Sequence, residues 1–147
     1  DYMKKIFFII SLFASLNFAQ VIELNEYIPS AEEAFVLSAE IKKEKIFIKF
    51  KVFKDTYIYA DKFFLGNIEL VETNYELLGE IIEREDYLFG LVKVLESDFK
   101  IIFSPDLKKE ISFKYQGCYK NKICYPSVEK KISIKYSDKK ITSVKID

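Results

Sequence analysis

Histidine and tryptophan are absent from the 147 residues, methionine occurs once, cysteine twice, proline three times and glycine four times. Without histidine the chain lacks the usual general base, the usual neutral metal ligand and the usual pH switch, which excludes histidine-dependent chemistry. So little glycine and proline excludes a collagen-like repeat. What is present is apolar: half of the residues are hydrophobic, 16% are aromatic, and 23 basic side chains balance 23 acidic ones. That composition supports a packed core and argues against disorder and coiled coil. No internal repeat, low-complexity tract or linker divides the chain, and its length fits one domain. The lysine pairs Lys42-Lys43, Lys108-Lys109, Lys130-Lys131 and Lys139-Lys140 are interleaved with acids. They read as solvated strand ends or turns and leave no nucleic-acid footprint.

Met3 reads as a start residue, followed by Lys4 and Lys5, an apolar run from Ile6 to Phe13, and small or polar residues through Ala14, Ser15, Asn17 and Ala19. These are the three regions of a secretory signal peptide. The uncharged stretch from Ile6 to Val21 falls short of the roughly 20 residues a bilayer span needs, so cleavage after Ala19 is expected rather than an anchor. The expected organisation is a signal peptide over 1–19 and one exported domain over 20–147.

Downstream the periodicity is two, the mark of strands with one buried face. Ile46, Phe47, Ile48, Phe50, Val52 and Phe53 are interleaved with Lys45, Lys49, Lys51 and Lys54 in one clear strand. Further strands are predicted over 57–64, 35–41, 67–72, 79–83, 91–95, 99–103, 110–115, 128–136 and 141–146. Turn residues separate them at Lys54-Asp55, Gly66-Asn67, Ser97-Asp98, Ser104-Pro105-Asp106 and Ser137-Asp138. A helix over 70–82 fits the spacing of Leu77, Leu78, Ile81 and Ile82, but Gly79 and the β-branched pair Ile81-Ile82 weaken it. Short strands at this spacing predict an antiparallel β-sandwich, with loops rather than a deep cleft carrying function.

The two cysteines, Cys118 and Cys124, share one segment, Gly117-Cys118-Tyr119-Lys120-Asn121-Lys122-Ile123-Cys124-Tyr125-Pro126. In an exported chain an even cysteine count reads first as a disulfide. A hairpin of this length brings two α-carbons within the usual bridging range of about 4.4–6.8 Å. As a staple such a bridge removes only roughly 2.4 kcal/mol of unfolded-chain entropy in the loop-closure model, a weak gain for a domain large enough to have a core. Zinc is a poorer reading, because two thiolates without histidine leave the tetrahedron half empty. Placement of the only pair on a tight, aromatic-rich turn favours thiol exchange. Composition alone leaves exchange and staple both open.

The motif itself carries a resemblance. Lys114-Tyr115-Gln116-Gly117-Cys118 followed by Cys124-Tyr125-Pro126 resembles the active-site segment of the N-terminal periplasmic domain of the thiol:disulfide interchange protein DsbD. Three further segments match in the same order: Tyr27 to Phe35 resembles that family's N-terminal sequence, Asp55-Thr56-Tyr57-Ile58-Tyr59 its aromatic strand, and Asp86-Tyr87-Leu88-Phe89-Gly90 its cap loop. The resemblance implies an immunoglobulin-like β-sandwich, in agreement with the strand pattern.

It further implies an electron relay of the protein-disulfide reductase type, needing no cofactor or metal. The reduced pair would pass electrons to thioredoxin-like periplasmic proteins, among them disulfide isomerases and cytochrome c maturation thioredoxins. A thioredoxin-like or membrane electron-transfer domain, in cis or in trans, would re-reduce it. Cys124 would form the mixed disulfide and Cys118 would resolve it. Tyr57, Tyr59, Asp86 and Tyr125 would flank the pair, and Tyr87, Leu88, Phe89 and Gly90 would cap it. Leu88 stands where the family has an aromatic, and Ser127 where it has a second proline. An acid at Asp86 beside the sulfurs would disfavour a thiolate, while a solvated loop acid would leave them alone. Tyr57 and Tyr59 likewise read either as site residues or as half-buried strand residues. The domain is expected to act as a monomer in the periplasm. The competing function is a non-catalytic, disulfide-stapled immunoglobulin-like binding or assembly module.

Overall fold

Inward-facing Ile46, Ile48 and Phe50, separated by Phe47 and Lys49, place the second strand at the centre of the packing. The computed structural model describes residues 26–66, 68–69, 75–120 and 122–147. The expected signal peptide over 1–19 lies outside them.

Three antiparallel sheets build an immunoglobulin-like β-sandwich. The first has the order β1-β2-β9-β6, with β1 (Phe35–Lys42), β2 (Lys45–Val52), β9 (Phe99–Phe103) and β6 (Glu76–Leu78). The second has the order β14-β13-β10-β4-β5, with β14 (Lys140–Ile146), β13 (Val128–Ser137), β10 (Glu110–Tyr115), β4 (Phe64–Leu65) and β5 (Ile68–Glu69). The third has the order β12-β11-β3-β8-β7, with β12 (Ile123–Cys124), β11 (Gly117–Tyr119), β3 (Thr56–Tyr59), β8 (Gly90–Leu95) and β7 (Ile82–Asp86). A single turn of helix, α1 (Ala31–Ala34), leads into β1. Its N-cap Ser30 and Glu33 form a reciprocal capping box, an arrangement worth about 1 kcal/mol.

Aromatic rings fill the space between the sheets. Phe50 stacks on Phe99 at 4.4 Å, and Phe63 on Phe113 at 5.9 Å. Edge contacts join Phe50 to Phe63, Phe113 and Tyr115. Each such pair adds roughly 0.5–1.5 kcal/mol beyond the area it buries.

The middle of the third sheet, at β3, β11 and Val94-Leu95 of β8, is covered on both faces, and its period-two alternation sorts side chains between two cores. Ile58, Leu95 and Tyr119 face the main aromatic core. Tyr57, Tyr59, Val94 and Cys118 face the other way into a second, smaller buried cluster, with Ile82, Val92 and Cys124 packed against it.

Several predicted elements differ. The strand expected over 57–64 stops at Tyr59, where the chain turns and enters the second sheet as β4. Phe63 causes the break by inserting, almost fully buried, against Phe50, Phe99 and Phe113. Of the strand expected over 79–83 only Ile82 and Glu83 are strand, at the start of β7; residues 79–81 are the link from β6, because the chain passes there from the first sheet to the third. Gly79 sits so close to Phe99 that an added Cβ would lie 2.5 Å from that residue's own Cβ. Glu76–Leu78 and Ile82 are strand, which overturns the helical alternative there; residues 67 and 70–74 lie outside the described residues. Lys130 and Lys131 fall inside β13 rather than at its end.

Candidate redox site

Cys118 and Cys124 face each other across the β11–β12 ladder and are joined as a disulfide. The Tyr125 amide donates to the Gly117 carbonyl at 2.9 Å, which leaves the cysteines at the adjoining close, non-hydrogen-bonded position. Their α-carbons are 3.9 Å apart, nearer than the range expected from loop length, because strand register rather than a slack loop brings them together. β11 itself lies against β3, with Cys118 opposite Tyr57 and Gly117 opposite Ile58. Gly117 must lack a side chain: a Cβ there would meet the Tyr57 carbonyl oxygen and lie 2.6 Å from the Phe35 ring.

The two tyrosines of β3 point from that strand toward the sulfurs. The Tyr59 hydroxyl lies 3.0 Å from Cys118 Sγ and 3.6 Å from Cys124 Sγ. It also donates to Asp86 Oδ2 at 2.9 Å, and the Tyr57 hydroxyl donates to the same oxygen. Because Tyr59 has one hydroxyl proton, the carboxylate and the sulfurs compete for it. Burial, then the bond to Asp86, pushes both phenols above their ordinary range, so both are neutral donors.

Asp86 closes the β7–β8 hairpin opposite Gly90. It is only 3% exposed, so the reading of a solvated loop acid fails. Its Oδ1 accepts the Leu88 and Phe89 amides at 2.8 and 3.1 Å while Oδ2 takes the two tyrosine hydroxyls. Burial alone would raise its pKa, but these four donors together outweigh burial and hold the carboxyl below its usual range. The negative charge therefore persists inside the site.

The loop from Tyr87 to Phe89 is exposed, at 55%, 54% and 49% for Tyr87, Leu88 and Phe89. Gly90 returns the chain to β8 at φ +71°, a left-handed conformation that glycine takes without cost. Phe89 sets its ring edge-on to Tyr59, centroids 5.4 Å apart, so the loop contacts the residue that contacts both sulfurs. Tyr125 behaves differently from the flanking role expected of it. Its ring packs edge-on to Phe35 in the main core at 5.7 Å, and its hydroxyl donates to the Pro29 carbonyl at 2.7 Å. The backbone pairing with Gly117 keeps that residue beside the hairpin while its side chain faces the interior.

Residues that sequence reading missed surround this arrangement. The Lys62 ammonium sits 3.4 Å from the Phe89 ring centroid and 4.9 Å from that of Tyr59, and the Arg84 guanidinium lies 4.6 Å from the Tyr57 ring. Glu26 accepts from Tyr119, Lys120 and Lys122 beside the cysteine hairpin. No local pattern distinguishes these cations and this acid from other surface charges; only the folded register brings them in.

Asp86, Cys118 and Cys124 present ligand atoms within 4.8 Å of one another. Sulfurs bonded to each other are not thiolate ligands, and each Asp86 oxygen already accepts two hydrogen bonds, so the oxidised arrangement suits redox exchange rather than metal coordination.

The fold resembles that of the crystal structure of the Neisseria meningitidis DsbD N-terminal domain in the reduced form. The TM-score is 0.61 at 22% identity, covering 83% of this chain and 96% of that one. The same domain in the solved complex between the DsbD N-terminal and PilB N-terminal domains matches with a TM-score of 0.58 at 18% identity, covering 80% and 94%. In sequence the chain is 27% identical over 143 residues to the thiol:disulfide interchange protein DsbD of Neisseria meningitidis, and 28% identical over 114 residues to that of Vibrio cholerae. These matches cover 90% and 75% of this chain but only 23% and 18% of those longer proteins. Residues 25–135 match the family model for the N-terminal part of the thiol:disulfide interchange protein DsbD. With that match spanning most of the sandwich and including both cysteines, the chain belongs to the DsbD N-terminal domain family.

Proposed function

We propose that this domain relays reducing equivalents by thiol–disulfide exchange through Cys118 and Cys124, as a protein-disulfide reductase of the periplasm. The Cys124 thiolate of the reduced pair attacks one sulfur of a thioredoxin-like partner's disulfide, and the partner's other sulfur leaves as a thiolate. The Cys118 thiolate then attacks Cys124 Sγ, the mixed disulfide breaks, and the partner's second sulfur leaves. Two electrons have passed to the partner, whose thiolates take up protons, and Cys118–Cys124 has become a disulfide. A thioredoxin-like or membrane electron donor, in cis or in trans, resets the pair by the reverse sequence.

Unequal exposure of the sulfurs carries this reading. Cys118 is fully buried whereas Cys124 is half-buried, and an in-line attack needs access to the sulfur that exchanges. Tyr59 supports it, since its one hydroxyl proton can turn from Asp86 to whichever sulfur becomes the thiolate. The solved complex of a relative with the PilB N-terminal domain supports a protein partner. Among the described residues no helix is long and apolar enough to cross a membrane.

The test is trapping. Cys118→Ser leaves the exchanging thiol without its resolving partner and is expected to accumulate a mixed disulfide with a thioredoxin-like protein, while Cys124→Ser is not. Equal trapping by the two variants would reverse or void the role assignment. Failure of both to trap, with a wild-type disulfide that resists mild reduction, would leave the stapled binding module as the function.

A further inference from the structure

The loop from Tyr87 to Phe89 is mostly exposed, and a loop with so little buried surface needs something to hold it against the site. Its attachments within the hairpin are the two amides bonded to Asp86, which fix the backbone but not the Phe89 ring. The ring is met from the other side by a residue of a different element. Lys62 follows β3 in a short turn whose own amide donates to the Tyr59 carbonyl at 3.3 Å. The next residue, Phe63, is anchored in the main core. Lys62 is thus rooted in the sandwich, and its ammonium lies 3.4 Å from the centroid of Phe89. Among the described residues it forms no ion pair, so the charge is presented to the Phe89 and Tyr59 rings alone.

We propose that Lys62 is the latch of the cap: its ammonium, set over the Phe89 ring and near that of Tyr59, holds the 86–90 loop closed over the disulfide until a docking partner displaces it. This rests on the exchange function proposed above and adds the residue that sets how readily the site opens. Lys62 is a positioning residue, because it acts on the sulfurs only through Phe89. A cation at this distance over a ring face is attracted by the ring quadrupole, and the attraction survives replacement by another cation but not by an isosteric neutral chain. An opening equilibrium weighted by one such contact shifts by about three- to ten-fold when the contact is lost.

The experiment measures reduction of the Cys118–Cys124 disulfide by a small phosphine in stopped flow, alongside the urea midpoint, for the whole chain. Lys62→Met keeps the aliphatic stem and is expected to accelerate reduction about three- to ten-fold with an unchanged midpoint. Lys62→Arg is expected to restore the wild-type rate. In a Phe89→Leu background, where the loop no longer offers a ring for the cation to hold, Lys62→Met is expected to add less than about two-fold. A Lys62→Met rate equal to wild type, or an acceleration undiminished in the Phe89→Leu background, overturns the latch. Phe89→Ala separates the two ideas. If it accelerates reduction while Lys62→Met does not, the loop shields the sulfurs without this latch; if Phe89→Ala also has no effect, shielding by the loop is itself wrong.

Discussion

Asp86 concentrates the chemistry of the site in one carboxylate. It is buried, charged and satisfied by four donors, one of which, the Tyr59 hydroxyl, also reaches the sulfurs. A carboxyl held below its ordinary pKa contributes stability that is fully present above the unfolded value of about 3.9 and is lost as pH falls through the folded one. Asp86→Asn is therefore expected to destabilise the domain by about 1–3 kcal/mol near pH 6 and by progressively less as the pH falls through the lowered folded pKa and the wild-type carboxyl is neutralised too. Thermal midpoints of the two proteins between pH 2 and 7 check this, and parallel curves would mean that the charge contributes nothing. The sequence brought this residue to attention only through the family resemblance. Nothing in Glu85-Asp86-Tyr87 reveals burial, which depends on Tyr57 and Tyr59 arriving from a strand nearly 30 positions earlier. Cys118 and Cys124 were legible outright, because they are the only pair in the chain.

At the scale of elements, the hairpin β7–β8 and the segment before α1 hold opposite sides of the site. The exposed side chains of the hairpin loop make few core contacts, so Leu88→Ala combined with Phe89→Ala is expected to change stability by about 1 kcal/mol or less. Reduction by a small thiol is expected to accelerate several-fold, and transfer to a thioredoxin-like partner to change less, since a docking partner moves the loop in any case. Paired stopped-flow rates decide it; equal small-thiol rates in variant and wild type would show that the loop does not screen the sulfurs. On the other side, Glu26 gathers Tyr119, Lys120 and Lys122 of the cysteine hairpin, whose bonds hold its pKa down to about 2. By the same sign rule its grip is complete above the ordinary glutamate value and is released as pH falls toward 2. Exposed ion pairs contribute little to global stability, so Glu26→Gln is expected to leave the urea midpoint unchanged while amide exchange in residues 118–124 quickens several-fold. Unaltered protection of those amides would show that the hairpin needs no such tie. Strands such as 99–103 and 110–115 were readable to the residue from alternation alone. One turn was not: Lys43 and Glu44 both take positive φ in a two-residue hairpin without the glycine, asparagine or aspartate that usually signals one, whereas Ser137-Asp138 did mark the β13–β14 turn, which falls one residue later at Asp138-Lys139.

For the whole molecule, period-two patterning was enough to name an antiparallel sandwich, because one buried face per strand leaves little other architecture open. It could not show that β3, β11 and the end of β8 at Val94-Leu95 are buried on both faces. Continuous apolar runs such as Tyr57-Ile58-Tyr59 give no clue to which side each residue serves. That double burial has a consequence for the proposed exchange, in which a covalent bond is broken and remade. Movement of the Cys118 side chain meets Tyr57, Tyr59 and Val94 first, while the phenylalanine stack lies on the other face of β3, a strand whose backbone is hydrogen-bonded on both edges. The chemistry is in effect mounted on an insulated outer chamber. In the proposed exchange the aromatic interior therefore need not repack each time the disulfide opens and closes.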